Sequence, residues 1–532
     1  MKSINSLQAN LYNQKLASEN AELKLQVEKL TEAKEKLETL VRYYEEQFRL
    51  AQHKKFGASS EKSGNDDQIN LFDEAEATAD RSVPEPELVA VEKHYRKRKQ
   101  LVNDNLPDDI SVEIIEHTLP EEDQICSECG GELHAMGQDK RRELKIIPAQ
   151  VKVVEHICNV YACRDCERNS DHTPIVRAEM PEPVIKGSFA SPELIAYIIN
   201  QKYVLGIPLY RQEQEFNRNG ILLSRQTMSN WLIRCAEDWF GQIYDRMKEK
   251  LLEHDVLHSD DTTVQVLHEP GKTAERQSYM WLYRTSGEAK HQIVLYEYKP
   301  DRGKKNVQEF LSGYKGYLMC DGYSGYHDLP GEITVVGCFA HVRRKFHEAL
   351  KGLPAEAQKD SNADVGMWYC NALFKMERKY AEYTVEKRYE ARMKYSLPLA
   401  EDFLLWAKSV DVLPKTLLGK AINYLTEQWV YLKNVYLDGR LELSNNRAER
   451  SVKPFVIGRK NWLFSNTVNG AKSSAVIYSI TETARENRLR PFEYFVWLLK
   501  TIPNTTTCKI DELLPGSPKI PDYCRMPDIS KD

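Results

Sequence analysis

The strongest constraint on the fold is the order of strand-like and helix-like segments between residues 256 and 346. Three segments alternate polar and apolar side chains or run apolar, as strands do, and a helical pattern follows them. Two more strand patterns come next, the second leading directly into a helix. The predicted elements are strands at 256–267, 278–285 and 292–298, a helix at 306–311, strands at 317–320 and 335–340, and a helix from His341. Strands and helices mixed in this way predict an α/β structure around one sheet.

This order of elements is that of an RNase H-like core, and two acidic residues lie where such a core needs them. Asp260 is on the first strand, and Asp321 ends the fourth. Because these two strands would be neighbours, we expect both carboxylates at one side of the sheet. A third acid should come from a later helix, and Glu449 fits that position.

Three carboxylates are suited to holding divalent cations. Mg²⁺ and Mn²⁺ prefer oxygen ligands, and three anionic side chains can hold two ions about 3.5–4 Å apart. Such a pair of ions promotes in-line displacement at a phosphodiester. The chain has 79 Asp and Glu residues, so spacing alone does not select these three.

Four of the eleven cysteines form two close pairs, Cys126-x2-Cys129 and Cys163-x2-Cys166. Two such pairs present four thiolates to one ion, which is the tetrahedral set that Zn²⁺ accepts. Residues 145–161 are rich in Val and Ile and are predicted as strands, with His156 and Cys158 as spare ligands. A closed four-sulfur site is structural, because metal binding folds a module with a small core. The alternative is four unrelated buried cysteines.

Residues 13–56 carry a heptad pattern with almost no helix breaker. The seam positions are Leu16, Leu23, Leu30, Leu37 and Tyr44 at d, and Asn20, Val27, Lys34, Val41 and Phe48 at a. One helix cannot bury such a stripe alone, so we expect a coiled coil that makes a homo-oligomer, most simply a dimer. The alternative is a long amphipathic helix that packs on its own protein.

The net charge of −5 conceals a segregation of charge along the chain. Residues 61–90 carry nine acidic side chains against two basic ones, whereas residues 93–99 form a basic run. The stretch 57–110 is therefore predicted as a flexible linker. Its basic run either is a solvated loop or contacts phosphate. Overall charge neither supports nor excludes a polyanionic partner.

Residues 185–250 are predicted as a helical region with a helix-turn-helix. Helices at 208–219 and 225–237 flank a turn that contains Gly220, and Ser224 is the expected N-cap of the second helix. In such a motif the second helix enters a DNA groove. The candidate groove-reading residues are Arg225, Gln226, Thr227 and Asn230. Two helices joined by a glycine turn also occur in many proteins that do not bind DNA.

The separation between Asp321 and Glu449 is too long for a minimal core. Residues 345–440 are helix-patterned, which predicts an inserted helical subdomain with aromatic side chains in its core. Basic residues near the acids are candidates for contact with DNA phosphates. They are Arg343, Arg344, Lys345, Arg450, Lys453, Arg459 and Lys460. Helix-surface charge with local ion pairs is the alternative for each, and His341 either orients a phosphate or has a capping or core role.

In chain order, these motifs resemble the IS66 family of transposases over nearly the whole chain. The resemblance is carried by Lys55-Phe56-Gly57-x2-Ser60-Glu61-Lys62, the two CxxC pairs, His258-Ser259-Asp260-Asp261-Thr262, Asp321-Gly322-Tyr323, Asn445-Asn446-x2-Glu449-Arg450 and Gly458-Arg459-Lys460-Asn461-Trp462-Leu463-Phe464. It implies a DDE transposase whose acids are Asp260, Asp321 and Glu449. The family usually has His-Ala-Asp-Glu-Thr at the first acid, which selects Asp260 over Asp261. Strand alternation places these two on opposite faces.

The sequence therefore predicts a multidomain bacterial-type transposase that cuts and joins double-stranded DNA with two Mg²⁺ or Mn²⁺ ions. It would bind terminal inverted repeats, pair two transposon ends by self-association and join them to a target. The expected regions are a coiled coil at 10–56, a linker at 57–110, a zinc module at 111–175, a helical region at 185–250, a catalytic domain at 254–500 with an insertion at about 345–440, and a tail at 501–532.

Two alternatives remain open at the level of sequence. One is an RNase H-like nuclease or junction resolvase that cuts without joining, and the other is a catalytically inactive DNA-binding regulator. The family resemblance also suggests small accessory proteins encoded in the same element. No run approaches the roughly 18 apolar residues that span a bilayer, and no signal segment opens the chain. We expect a cytoplasmic, nucleoid-associated protein without a membrane partner.

Overall fold

The computed structural model describes residues 150–162, 175–504 and 509–527, together with most residues between 20 and 49. The chain forms two compact units, one of residues 1–63 and 182–524 and the other of residues 64–181 and 525–532. The predicted linker and the four predicted zinc ligands lie outside the described residues.

In the second unit, the described residues include a short antiparallel hairpin of β1 (Val160–Ala162) and β2 (Ile175–Arg177). Residues 150–159 are not strand, so the predicted strand at 145–161 is wrong over that part. The Val and Ile side chains of this part are exposed. High strand propensity does not produce a strand where no neighbouring strand pairs with it.

Four helices precede the central sheet. They are α1 (Pro192–Ile199), α2 (Leu209–Arg218), α3 (Arg225–Cys235) and α4 (Gly241–Leu252). The backbone N–H of Thr227 donates to Ser224 Oγ at 3.1 Å, so Ser224 is the N-cap that the sequence predicted for α3. π-Helical turns at Asn200–Val204 and Ala236–Phe240 extend α1 and α3.

The centre of the first unit is a mixed sheet whose elements follow the predicted order along the chain. They are β3 (Val256–His268), β4 (Gln277–Thr285), β5 (Val294–Lys299), helix α5 (Lys304–Phe310), β6 (Gly316–Met319) and β7 (Ile333–Val336). The spatial order of the strands is β5-β4-β3-β6-β7. Strands β3, β4 and β5 pair antiparallel, whereas β6 is parallel to β3 and β7 is parallel to β6. The strand that contains Asp260 and the strand that precedes Asp321 are therefore neighbours.

The last predicted strand is shorter than expected. Strand β7 ends at Val336, and helix α6 (Phe339–Lys351) follows, so the predicted strand at 335–340 is wrong beyond residue 336. The apolar run continues because Phe339 is buried on the first turn of α6. Periodicity alone does not separate a short apolar strand from a buried helical turn.

The chain after α6 forms the predicted helical insertion. Its helices are α7 (Ala355–Gln358), α8 (Asn362–Tyr380), α9 (Val385–Ala391), α10 (Leu397–Ser409) and α11 (Leu417–Leu432). Phe346, Phe403 and Trp406 pack together in its core, and Tyr369 stacks on Phe403 with 4.9 Å between ring centroids. Trp368 is an exception to the predicted core aromatics, because its side chain is 59% exposed.

The N-terminal helical segment docks on this insertion at its C-terminal end. The backbone N–H of Leu417 donates to Glu46 Oε2 at 3.1 Å, and Arg49 Nε donates to the Gly352 carbonyl at 2.8 Å. An acid thus meets the first residue of α11, and a base meets the C-cap of α6, as helix dipoles favour. The predicted seam residues upstream remain exposed in the single chain, including Leu23, Val27, Leu30, Leu37 and Val41.

The remaining elements of the first unit are α12 (Asn446–Trp462), β8 (Ser465–Thr467), α13 (Val468–Glu486), α14 (Pro491–Thr501) and α15 (Ile510–Leu513). Helices α12 and α13 cover one face of the sheet, where the Tyr296 hydroxyl donates to the Ser451 carbonyl and Tyr296 N donates to Ser479 Oγ. Helix α5 covers the opposite face, where Phe310 stacks on Tyr283 with 3.7 Å between ring centroids.

The segment predicted as a C-terminal tail packs back on this unit. Leu513, Ile520 and Cys524 are buried, and Arg490 N donates to the Cys524 carbonyl at 2.7 Å. Within the described part of the chain, no helix combines the length and the apolar character needed to cross a bilayer.

We expect Arg284→Leu to lower the free energy of unfolding by about 2 kcal/mol or more. Arg284 is 1% exposed and donates to Ser451, Glu486 and Gln292, which joins β4 to α12 and α13. The loss of stability is limited because the Glu486 side chain is 35% exposed, so water can solvate its charge when Arg284 is absent. All eight tryptophans lie between residues 231 and 497, so tryptophan fluorescence in urea reports on this unit. Arg276→Leu, at an exposed turn, should change the midpoint little; equal effects would contradict the bridging role of Arg284.

Candidate active site

Asp260 and Asp321 are brought together by the parallel pairing of β3 and β6. His258 lies opposite Met319 in this ladder, and each acid comes two residues further along its own strand direction. Strand β6 ends at Met319, so Asp321 lies in the loop that follows it, close enough to Asp260 for its negative charge to raise the pKa of the Asp260 carboxyl. The pairing of β3 with β6 therefore brings the segments that carry both acids next to each other.

Asp260 and its neighbour Asp261 have different surroundings. Asp261 accepts hydrogen bonds from Arg302 Nε at 3.0 Å and Nη2 at 2.9 Å, on the face of the sheet that carries α5. Asp260 shares the α12 face with His258, which is hydrogen-bonded to the residue before that helix. Because successive strand residues alternate, Asp260 faces the helix that carries Glu449. This agrees with the prediction that the two acids face opposite sides.

Glu449 lies in the first turn of α12 and meets helix α6. Arg344 Nη2 donates to Glu449 Oε2 at 3.2 Å, and His341 Nε2 lies 3.8 Å from Glu449 Oε1. His341 and Arg344 are three residues apart, so they share one face of α6. His341 therefore lies beside the third acid, and its role stays a prediction.

The electrostatics of the site connect the three acids. Burial raises the pKa of the Asp260 carboxyl well above its ordinary value, and the negative charges of Asp321 and Glu449 raise it further. The hydrogen bond from Asp261 N to Asp260 Oδ1 opposes this rise. Burial also lowers the pKa of His341, against the raising effect of Glu449 and Asp321. Asp260 is therefore the acid that is buried and that also lies within the electrostatic reach of Asp321 and Glu449.

The side chains of the site are arranged for a bound cation only in part. Among the described residues, the His, Cys, Asp and Glu side chains whose ligand atoms all lie within 4.8 Å of one another are Cys338, His341 and Glu449. The carboxylates of Asp260, Asp321 and Glu449 are therefore spread more widely. Two ions about 3.5–4 Å apart need such a spread. Glu449 forms an ion pair with Arg344 at 3.2 Å.

The predicted groove-reading residues lie at the start of α3. Arg225, Gln226 and Asn230 are exposed, and Thr227 is half-buried by its contact with the N-cap. Arg225 pairs with Glu213 at 4.0 Å and lies over the Tyr210 ring, so it is partly engaged within the protein.

Some of the basic residues predicted near the acids form hydrogen bonds within the protein, and others lie on the surface of α6 and α12. Arg343 donates to Asn371 of the insertion, and Arg459 donates to Thr262 and Thr263 of β3, so both hold structural contacts. Lys345 lies over the Tyr424 ring at 4.8 Å, near the acids. On α12, Arg450 and Lys460 are exposed and Lys453 is half-buried.

Two residues of the site were missed at the level of sequence. Arg302 pairs with Asp261, lies 3.9 Å from Asp321 Oδ2 and stacks over Tyr323. Tyr424 of the insertion approaches Gly322, where a Cβ would lie 2.7 Å from its hydroxyl. The Asp321-Gly322-Tyr323 motif signals a close approach at the glycine, but nothing in the sequence identifies the residue that approaches it.

Comparisons with known proteins agree with this architecture. The model of the transposase IS66 family matches residues 187–473, which include all three acids. A model for the zinc-finger binding domain of transposase IS66 matches residues 123–167, which include all four predicted zinc ligands. Further models match residues 43–115, described as transposase C of IS166 homeodomain, and residues 479–515, the IS66 C-terminal element.

Relatives extend along most of the chain. The uncharacterized protein y4hP of Sinorhizobium fredii is 30% identical over 443 residues, covering 79% of this chain and 77% of its own length. The uncharacterized protein y4jD of the same organism is 30% identical over 414 residues, covering 74% and 78%. With a family model spanning more than half of its length and these relatives, the chain belongs to the IS66 family of transposases.

Proposed function

We propose that this transposase is a DDE enzyme with an RNase H-like catalytic core that cuts the ends of an insertion sequence and joins them to target DNA. The observation that carries the proposal is the convergence of three acids from separate elements. Asp260 is half-buried within β3, just beyond the part of that strand that pairs with β6, and the negative charges of Asp321 and of Glu449 on the first turn of α12 act on it.

The donor set fits Mg²⁺ or Mn²⁺. All three side chains offer carboxylate oxygens, which these hard cations prefer, and Asp260 bears an electrostatic cost that a cation would relieve. When bound, two such ions activate the attacking water or 3′-hydroxyl and stabilise the departing oxygen. Arg302 neutralises Asp261, which leaves Asp260 as the ligand on that strand.

The surrounding residues serve a DNA substrate. Arg344, which pairs with Glu449 in the metal-free protein, and Lys345 and Arg450 on α6 and α12 would contact phosphates of the DNA. His341, whose Nε2 lies 3.8 Å from Glu449 Oε1, would orient the scissile phosphodiester. Helix α3 contacts the terminal inverted repeats through Arg225, Gln226, Thr227 and Asn230. A zinc ion held by the two CxxC pairs stabilises a second DNA-contacting module.

The coiled-coil segment pairs two transposon ends by joining two copies of the chain. Its exposed apolar seam is a surface that a second copy would bury, while its other end is docked on the insertion through Glu46 and Arg49. Pairing of the seams thereby links two catalytic units.

Asp260→Asn, Asp321→Asn and Glu449→Gln should each reduce Mg²⁺-dependent cleavage of end-containing duplex DNA by roughly a hundredfold or more, because each lost ligand removes several kcal/mol of charge stabilisation. Glu332→Gln, at an exposed acid that pairs with Lys315, is the control and should retain full activity. Pre-cut ends with free 3′-hydroxyls test the joining step. Cleavage without joined product would indicate a nuclease or resolvase. Sequence-selective binding without any metal-dependent product would indicate a regulator.

Asp260→Asn should raise the Tm of the metal-free protein near pH 7. A carboxyl whose pKa is raised by folding contributes stability below its unfolded pKa and loses it as pH rises through the folded value. The substitution removes this charge. Addition of Mg²⁺ should raise the Tm of the wild type but not of Asp260→Asn. Glu332→Gln, at an exposed acid, should behave as the wild type does; an equal Mg²⁺ response in Asp260→Asn would argue against cation binding at the triad.

Leu30→Glu with Leu37→Glu should convert a dimer to a monomer, because two new charges would be buried in the seam. Light scattering after size-exclusion chromatography measures the mass directly. Lys29→Glu with Lys36→Glu places the same new charges off the seam and should preserve the dimer. A wild-type chain that is monomeric at micromolar concentration would exclude this mode of pairing.

A further inference from the structure

The side chain of Asn445 is fully buried immediately before α12, the helix that carries Glu449. Its Nδ2 donates to the Ser259 carbonyl at 2.8 Å, and its Oδ1 faces His258 Nδ1 at 3.0 Å. Because a carbonyl only accepts, the orientation of the amide follows, and His258 must carry its proton on Nδ1. The Asn445 side chain is thus hydrogen-bonded to His258 and Ser259, the two residues of β3 that precede Asp260.

The backbone of Asn445 is attached to the other two elements of the site. Its N–H donates at 3.1 Å to Sγ of Cys338, the N-cap residue of α6. Its carbonyl accepts from Glu449 N at 3.1 Å, the first helical hydrogen bond at that end of α12. One buried residue therefore contacts the strand of Asp260, the helix of Glu449 and the helix of His341.

The side chain of Asn445 does not do what its position favours. Asparagine before a helix commonly caps it by accepting from the backbone N–H of the second or third helical residue. Here that cap is missing, and the amide turns to β3 instead. Giving up a cap costs about 1 kcal/mol, and the hydrogen bonds to the strand offset this loss. The side chain is therefore committed to the alignment of α12 with β3.

We propose that Asn445 is a positioning residue of the metal site, fixing the first turn of α12 against β3 so that Glu449 and Asp260 bind the same cations. This inference rests on the proposed function of the three acids. Asn445 itself touches neither substrate nor metal. Removing its amide frees the helix turn to shift relative to the strand, and a shift of about 1 Å is enough to weaken shared coordination.

Asn445→Ala should weaken the triad-dependent binding of Mn²⁺ by about tenfold or more, which is the usual effect of losing a residue that orients a ligand. Electron paramagnetic resonance of free Mn²⁺, measured on the zinc-loaded full chain, gives the affinity without requiring activity. The signal lost in Asp260→Asn defines the triad-dependent part. The Mg²⁺ concentration for half-maximal DNA cleavage should rise in parallel, while affinity for end-containing DNA in EDTA should stay unchanged.

Asn487→Ala is the matched control. Asn487 is the C-cap of α13; its Nδ2 donates to the Gln292 carbonyl at 2.6 Å and its Oδ1 accepts from Gln292 N at 3.2 Å, so its loss also removes two hydrogen bonds between a helix end and the segment before β5. It should lower the Tm by a similar amount and leave Mn²⁺ affinity unchanged. Equal Mn²⁺ affinities in the two alanine variants would overturn the positioning role.

Asn445→Asp keeps the test decisive if the alanine variant does not fold. Aspartate still accepts from His258 Nδ1 but has no N–H for the Ser259 carbonyl, so Mn²⁺ affinity should fall although the side-chain volume is kept. Wild-type affinity in Asn445→Asp would overturn the proposal. Wild-type protein that binds Mn²⁺ through the acids but never cuts DNA would refute the proposed function alone, and the affinities would still decide the role of Asn445. Absence of triad-dependent binding in the wild type would refute both.

Discussion

The parallel pairing of β3 with β6 is the constraint on which the site depends. It brings the segments that carry Asp260 and Asp321 next to each other, just beyond the last paired residues, His258 and Met319. Bringing two carboxylates together in a half-buried position is unfavourable, and the raised pKa of Asp260 records that cost. The sheet can impose it because β3 is fixed on both sides, by β4 over nine residue pairs and by β6. The stability of the sheet maintains an arrangement that repulsion between the acids would otherwise disperse.

The third acid reaches the same place by a different route. Helix α12 is held to the sheet by buried polar contacts rather than by strand pairing. Arg284 joins β4 to Ser451 and Glu486, Arg459 joins the other end of the helix to β3, and Asn445 joins its first turn to β3. Buried polar contacts are directional and lose much of their energy when displaced. They suit a helix whose orientation must be kept closely, although they stabilise the fold little compared with apolar burial.

The helical insertion separates Asp321 from Glu449 in sequence and packs against the segment that follows Asp321. Tyr424 fills the space left by Gly322, next to Asp321, and Lys345 lies over the same ring. The insertion also receives the N-terminal helical segment through Glu46 and Arg49 at two helix ends. A continuous set of contacts therefore runs from the exposed heptad seam to the loop after Asp321.

The sequence determined the order of elements around the sheet, the N-cap of α3 and the helical character of residues 355–432, because these follow from local periodicity and capping. It misjudged the end of β7 and the strand at 150–159, where an apolar run has more than one local solution. Only the tertiary structure decided which basic residues hold internal contacts, as Arg343 and Arg459 do. It also revealed Arg302 beside Asp261 and Asn445 on β3. Such partners are distant in the chain, and their pairing depends on strand register and helix packing, which no local pattern encodes.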